Sequence, residues 1–478
     1  MKANTESKQA TRGHAALLAL LAAASITVVA SAATTPAMPD PPGFIAPGTR
    51  TTDDPRRIPV APGPRDPAGT LVLRGGLVFD SVRAAAIAGT VVIERDQIKA
   101  VLAPDATDWP ADAKVIDVSG KFVMPGLIDM HVHLTYPDPS TLVDEQTSEG
   151  AGVLRGMRNA RYFLESGFTS LRDLGGVLNA PYLLSEWSAS TEIPAPRIFT
   201  AGHIITATGG HAAERPITPN HTSAYTWEVD GADNWRRAVR ETYKQGAGVI
   251  KIASHFSAEE VAAAVDEAHS VGLKITCHCY NDDIPKAVEA GVDMIEHPLP
   301  RTDATVRLMA KKAVASIPTL QVYQNVFDTG GYYGTTSRRF SMNSQQNFDL
   351  FKKMKAAGIK MGVGTDTIGK ANTYTPNFYI AELKWFVKGG YSVPEALIAA
   401  TRTNAALLDM ADKLGTLEPG KLADVIVVNG RPDQSLDDLA KIDVVIKGGY
   451  VVVKDGVVQV PRHVAAPLPK PSPPAAVH

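Results

Sequence analysis

Between Pro125 and Met410, short apolar runs alternate with stretches whose apolar residues recur at helical spacing. The runs are GLIDMHVHL (126–134), FTSLRDL (168–174), PRIFTAG (196–202), GVIKIAS (248–254), KITCHC (274–279), MIEHP (294–298), VASIPTL (314–320) and KMGVGTD (360–366). Such alternation predicts parallel strands with helices crossing between them, an α/β fold. One intervening helix is marked at both ends. Ser257 with Glu260 forms a capping box, Val261, Val265 and Ala268 keep helical spacing, and Gly272 stops it. Eight such strands over this length match a (β/α)8 TIM barrel, predicted for residues 125–410.

The flanks follow a different pattern. LVLRGGLVFD, GTVVIERDQIKAVLA and KVIDVSGKFVMPG, between Leu71 and Met124, are β-rich and punctuated by Gly and Asp, which predicts an antiparallel meander. ADVIVVNG, KIDVVIKGG and YVVVKDGVVQV repeat that pattern between Ala423 and Val460. Neither piece is large enough for its own core. Residues 70–124 and 411–460 are therefore expected to form one small β-sandwich built from both chain ends. Residues 33–69 read as a Pro-rich linker and 461–478 as a Pro-rich tail.

The chain has 478 residues, 44% of them hydrophobic, with 48 Lys and Arg against 50 Asp and Glu. This excludes disordered and collagen-like classes, and the absence of a long basic run argues against a nucleic-acid partner. Lys2, Lys8 and Arg12 precede an apolar run from Ala15 to Val29 and the small residues Ala30-Ser31-Ala32. Residues 1–32 are expected to be a signal peptide, leaving a periplasmic or secreted protein with no membrane attachment after cleavage. The competing reading of the segment is an uncleaved anchor. Cys277 and Cys279 are the only cysteines, and two residues apart on one strand they share a face. No disulfide is expected between them, and they read as small buried hydrophobes.

In a barrel of this kind the C-terminal strand ends converge on one mouth. His131 and His133 close the first strand on one face, Lys251 lies in the fourth, His278 in the fifth, His297 in the sixth and Asp366 at the tip of the eighth. Singly, each has a plain structural explanation, a hydrogen-bonded core histidine or a turn aspartate. Lys251 is different, because an unpaired ammonium in the apolar run VIKI costs several kcal/mol or loses its proton. It needs a partner or a chemical modification.

This set of strand ends resembles the amidohydrolase superfamily, as do PGLIDMHVHL, TSLRD, AGVDMIEHP, GVGTDT and the closing TRTNAALL and LGTLEPGKLADVIVV. The similarity spans residues 67–460. It implies that Lys251 is carboxylated on its ε-nitrogen and bridges two divalent metal ions. His131, His133, the Lys251 carbamate and Asp366 would hold one metal, and the same carbamate with His278 and His297 the other. Imidazole and carboxylate ligands suit zinc, with manganese, cobalt and iron as alternatives. The resemblance further implies a metal-bridging hydroxide as nucleophile, with Asp366 as the catalytic residue that passes a proton from it to the leaving group.

TATGGHAAERP (206–216) resembles a loop of the imidazolonepropionase-like and prolidase-like branch and offers His211 as a substrate contact or a solvent-facing histidine. Tyr280 and Tyr323 are further candidate substrate-binding donors. TYTPN (373–377) with Glu382-Leu383 resembles that branch's substrate loop. His255 and Phe256 stand where dipeptidase relatives carry small residues and glycines, which leaves the pocket open. His203 and His255 read as extra ligands, substrate contacts or supporting residues. Arg172 and Arg215, with His211, are candidates for a substrate carboxylate, although Arg172 reads equally as a partner of Asp173. No role is assigned to His221 or His269.

The resemblance thus implies an enzyme that cleaves the amide of an N-acyl amino acid or dipeptide, with ochratoxin A within that class. Hydrolysis of cyclic amides, lactones or phosphotriesters by the same site is the alternative. A non-catalytic scaffold is disfavoured because all six ligand types are present. The expected partner is a small-molecule substrate, with a homo-oligomer suggested by analogy.

Overall fold

The computed structural model describes residues 69–137, 148–189, 193–213, 224–328, 343–368 and 376–460. The expected signal peptide, the Pro-rich linker up to residue 68 and the Pro-rich tail lie outside the described residues. Among the described residues no helix is long and apolar enough to cross a membrane.

Along the chain, β1 (Thr70–Val78), β2 (Ile87–Glu94), β3 (Gln97–Leu102), β4 (Lys114–Asp117) and β5 (Phe122–Pro125) come first. They are followed by β6 (Leu127–His133), β7 (Phe168–Asp173), β8 (Arg197–Thr200), β9 (Ile204–Thr206) and β10 (Thr226–Glu228). Then come β11 (Ile250–Ala253), β12 (Ile275–His278), β13 (Met294–Glu296), β14 (Ala315–Ile317) and β15 (Thr367–Ile368). The last strands are β16 (Val425–Val428), β17 (Ile442–Lys447), β18 (Tyr450–Lys454) and β19 (Val457–Val458). Helices α1 (Glu149–Glu165), α2 (Ala180–Trp187), α3 (Ala232–Lys244), α4 (Ala258–Ser270), α5 (Asp283–Ala290) and α6 (Asp303–Lys311) alternate with the central strands. They continue as α7 (Leu320–Asp328), α8 (Ser344–Ala356), α9 (Pro376–Lys388), α10 (Val393–Ile398) and α11 (Asn404–Leu407). The capping box of Ser257 and Glu260 opens α4, and Gly272 follows its end in a left-handed conformation.

The fold is α/β. Its central strands form two parallel sheets, β15-β6-β7-β8 and β10-β9-β11-β12-β13-β14, which do not merge into one continuous ladder among the described residues. Two features separate this from the expected ring of eight strands. β9 and β10, absent from the sequence reading, occupy the edge beside β11. The segment 360–366 is not a regular strand: it forms an isolated parallel bridge, Met361 to Ser316, and shares backbone hydrogen bonds with Ser316, Met130 and His131. Side chains take two of its amides: Asn404 accepts from the Val363 amide at 2.9 Å and Asp129 from the Thr365 amide at 3.0 Å. Gly364 permits the close approach, since a Cβ would lie 2.7 Å from Ile317 and 2.9 Å from the His131 nitrogen.

The strands from the two chain ends join in one nine-stranded sheet. The joint is edge to edge: β16 pairs antiparallel with β5 (Val427 opposite Val123), and β5 pairs parallel with β1. The expected meander holds for β1-β2-β3, whereas β4 and β5 run parallel to β1. Alternate residues Val425 and Val427 pack with Leu73, Val91, Val123 and Val444, and their neighbours Ile426 and Val428 face the main core. Buried Arg197 pairs with Asp424, and buried Lys447 donates to the Ser188 and Ala195 carbonyls at 2.8 and 2.7 Å. These polar ties link the sheet to β8 and the chain before it.

Cys277 and Cys279 are joined as a disulfide, contrary to expectation. The strand ends at His278, and the turning chain brings the two Cα atoms to 5.2 Å, inside the span a disulfide accepts.

Candidate active site

β6 is buried along its whole length, and its period of two puts Leu127 on the same face as Asp129, His131 and His133 while Ile128, Met130 and Val132 face the other way. Apolar packing fixes one face and polar contacts the other. The Asp129 carboxylate accepts from the His131 amide at 3.0 Å and from the Thr365 hydroxyl at 2.7 Å, joining the two chain segments that carry His131 and Asp366. The Asp366 amide in turn donates to the His131 carbonyl at 2.7 Å. Burial pushes Asp129 up to about 7.

Each imidazole with a resolved anchor is held at Nδ1. His131 Nδ1 lies 2.8 Å from the Glu296 carboxylate, His133 Nδ1 2.8 Å from the Gly175 carbonyl and His297 Nδ1 2.8 Å from the Thr319 hydroxyl. The opposite nitrogens of His131 and His133 both reach Asp366 Oδ1 at 3.3 Å. Anchoring one ring nitrogen while the other points inward is how metal-binding histidines are oriented. Ring centroids of His131 and His297 lie 4.8 Å apart, and those of His278 and His297 4.5 Å. Ligand atoms of His131, His297 and Asp366 lie within 4.8 Å of one another, a spacing that suits one ion.

Lys251 and His278 complete the cluster on adjacent parallel strands, where Ala253 is opposite His278. Lys251 Nζ and His278 Nε2 are buried and have no hydrogen-bond partner among the described residues. Burial first, and the neighbouring cation Lys251 next, hold His131 well below the ordinary imidazole range. Burial also lowers His278 and His297, with other imidazoles adding to it. Neutral imidazole is the ligand form. Burial brings Lys251 down to about 8, against the pull of Glu296 and Asp366. An amine with an accessible neutral form is the species that can take up carbon dioxide.

His297 and Asp366 both sit at positive φ, 64° and 54°, and so does Thr319, at 43°. Left-handed backbone at non-glycine residues costs energy and concentrates at functional sites.

Of the expected substrate contacts, His211 stacks on His278 with centroids 3.6 Å apart, and Tyr280 Oη lies 3.5 Å from His211 Nδ1. Tyr323, on α7, lies 5.5 Å from His297 ring to ring. Arg172 does not pair with Asp173. It pairs with Glu296 at 2.5 Å and donates to the Met130 carbonyl, because inward-facing Arg172 meets β13 whereas Asp173 accepts from the Leu134 amide and the Thr200 hydroxyl. Glu382 is not a loop residue. It is buried within α9 and accepts the Leu320 and Gln321 amides at 3.0 and 2.7 Å, capping α7. His203 stacks on Trp227 at 5.3 Å beside Tyr182, outside the histidine cluster. His269 pairs with Asp293 at 3.0 Å. Arg215, His221 and residues 373–375 lie outside the described residues.

Sequence reasoning missed Glu296, which holds His131, Arg172 and Thr276 together. Its signal was a charged residue directly before a ligand histidine in an apolar strand.

A buried cluster of histidines with a carboxylate and an amine, at the ends of parallel strands, is an arrangement that could hold a metal ion. The amidohydrolase family model matches residues 122–452, and the chain belongs to that family, whose members are metal-dependent hydrolases of carbon–nitrogen bonds. Ochratoxinase from Aspergillus niger is 26% identical over 352 residues, covering 65% of this chain and 70% of its own. Imidazolonepropionase from Symbiobacterium thermophilum is 24% identical over 415 residues, covering 79% of this chain and 93% of its own. A crystal structure of an Xaa-Pro dipeptidase with bound methionine in the active site superposes with a TM-score of 0.72 at 28% identity, covering 80% of this chain and 99% of its own.

Proposed function

We propose that this chain is a binuclear metal-dependent amidohydrolase that cleaves the amide bond of an N-acyl amino acid or dipeptide, with ochratoxin A in its range. The observation that carries this reading is the pairing of inward-facing imidazoles with two buried, unsatisfied groups, Lys251 Nζ and His278 Nε2. A carbamate on Lys251 and two cations would satisfy both, so the residues fit the group. His131, His133, carboxylated Lys251 and Asp366 would hold one ion, and carboxylated Lys251, His278 and His297 the other, with zinc the best match to this donor set. When bound, such ions supply Lewis acidity that activates water and polarises the scissile carbonyl.

The protein's own residues do the rest. Asp366 accepts the proton that water loses as the new C–O bond forms and returns it to nitrogen as the C–N bond breaks. Glu296 and Thr319 keep His131 and His297 in register throughout. His211, Tyr280 and Tyr323 line the ligand histidines and are the substrate contacts in this reading. The two parallel sheets are read as arcs of a (β/α)8 barrel, supported by the Met361–Ser316 bridge and by the Gly248 amide donating to the Thr200 carbonyl. Export is supported by the residue pattern of 1–32, and the likeness to an Xaa-Pro dipeptidase and an ochratoxinase supports the substrate class.

The test is a metal count on the purified protein with a screen of N-acyl amino acids, dipeptides, ochratoxin A, lactones and phosphotriesters. Near two metals per chain with amide turnover is the expected result. Two metals with turnover of lactones or triesters alone would move the substrate class, and a metal-free active protein would overturn the mechanism.

A further inference from the structure

At α4, α6 and α10 the hydroxyl residue before the helix caps it: Ser257, Thr302 and Ser392 hold extended backbone, and each side chain accepts a first-turn amide. Thr319 stands in the same place before α7 and departs from that pattern. Its φ is 43°, a left-handed conformation that a β-branched side chain resists, and its hydroxyl lies 2.8 Å from His297 Nδ1. The first-turn amides of α7 go to another helix: Glu382 of α9 accepts from Leu320 at 3.0 Å and from Gln321 at 2.7 Å. Trp385, on the same helix, adds a second tie, its Nε1 donating to Gln321 Oε1 at 3.0 Å. Thr319 and Glu382 are both fully buried.

In the extended conformation of an ordinary cap, Thr319 would turn its hydroxyl to the Gln321 amide and leave His297 without that anchor. Glu382 occupies the amide and so removes the alternative. Strained backbone of this kind persists only where its surroundings hold it, and here the holding group comes from α9. The backbone of His297, at φ 64°, is fixed separately: its amide donates to the Ile317 carbonyl at 2.8 Å, and Arg301 donates to its carbonyl at 2.6 Å. Its ring depends on Thr319. We propose that Glu382 is a positioning residue for His297: by capping α7 from α9, it keeps the Thr319 hydroxyl on the imidazole. This rests on the amidohydrolase reading above, in which His297 holds a metal ion. α7 also carries Tyr323, whose ring lies 5.5 Å from that of His297, so one cap serves two groups of the site.

The experiment is a double-mutant cycle on the full chain, read as zinc affinity by competition with a chromophoric chelator at a temperature where every variant is folded. Thr319→Val removes the hydroxyl and keeps the branched shape, and should weaken zinc binding by roughly 10–100-fold, as loss of an orienting partner does. Glu382→Gln replaces one accepting oxygen with an NH2 group, which cannot accept from an amide, and should weaken binding by about tenfold or more. Because Glu382 acts through Thr319, the double variant should match Thr319→Val within about twofold. Losses that multiply in the double variant, or wild-type affinity in Glu382→Gln, the mark of a purely structural role, would overturn the assignment while leaving the metal site standing. If Glu382→Gln is not recovered folded, Glu382→Asp takes its place in the same cycle, because it keeps both oxygens but draws them back from the amides. A wild-type chain that binds no divalent metal would instead remove the amidohydrolase reading and this inference with it.

Discussion

Glu296→Gln is the most informative single change, because one carboxylate serves two roles that can be separated. Glu296 is fully buried, orients His131 through Nδ1 at 2.8 Å and neutralises buried Arg172 at 2.5 Å. Glutamine keeps the shape and removes the charge. Arg172 would retain the Met130 carbonyl but lose the carboxylate it pairs with, and stranding one member of a buried pair costs about 3–5 kcal/mol. The surviving carbonyl contact places the expected loss of stability near the lower end, about 3 kcal/mol. Loss of an orienting partner to a ligand histidine weakens metal binding by roughly 10–100-fold. Urea denaturation of the metal-stripped protein reads the first effect, and competition with a chromophoric chelator reads the second. Arg172→Met combined with Glu296→Gln removes the stranded charge and should recover much of the stability without recovering metal affinity. If the double variant regains both, the affinity loss came through folding and the orienting role of Glu296 is wrong.

Other outcomes follow from the same geometry. Asp366→Asn should retain most bound metal and lose several orders of magnitude in kcat, measured with metal content and turnover on one preparation; comparable turnover would remove its proton-carrying role. Lys251→Ala should bind little metal and regain part of its activity with added short-chain carboxylic acids, which stand in for the carbamate. Gly202→Ala should destabilise by about 2–4 kcal/mol, since φ is 68° and a Cβ would lie 1.9 Å from the Tyr182 ring; equal melting temperatures would contradict the packing there. Burial pushes Glu382 up to about 8 although two α7 amides favour its charge. The folded state then holds a proton that the unfolded chain, near 4.5, has released. This contribution to stability is complete below that lower value and is lost as pH rises through about 8. Denaturation at pH 5 and 8 should show a smaller decline in Glu382→Gln than in wild type.

What could be read in the sequence divides according to how local its cause is. Several strand positions and the α4 cap follow from periodicity and from neighbours within a few residues, and those of β6, α4, β12 and β13 are found within a residue or two of their expected places. The eighth strand is irregular because two of its amides go to Asp129 and Asn404, side chains 236 and 41 residues distant in sequence. Arg172 failed for the same reason: the choice between Asp173 next to it and Glu296, 124 residues away, is made by which face of β7 turns inward. The chain ends meet through β16 on the edge of β5, a pairing that alternation cannot specify.

The candidate site shows the same division with a functional consequence. Six metal-capable residues stood out as residue types at strand ends, yet what makes them a site is the set of groups behind them: Glu296, Gly175, Thr319 and Asp129, of which a sequence scan for ligands selects none. Glu296, Gly175 and Thr319 anchor Nδ1 of His131, His133 and His297, Asp129 holds the His131 amide, and two of the positions, His297 and Asp366, are held in backbone conformations their side chains do not favour. That cost is borne by contacts made across the fold, the Asp366 amide on the His131 carbonyl and the Arg301 guanidinium on the His297 carbonyl at 2.6 Å. Replacing a supporting group should therefore disturb metal binding more than replacing an exposed residue such as His255.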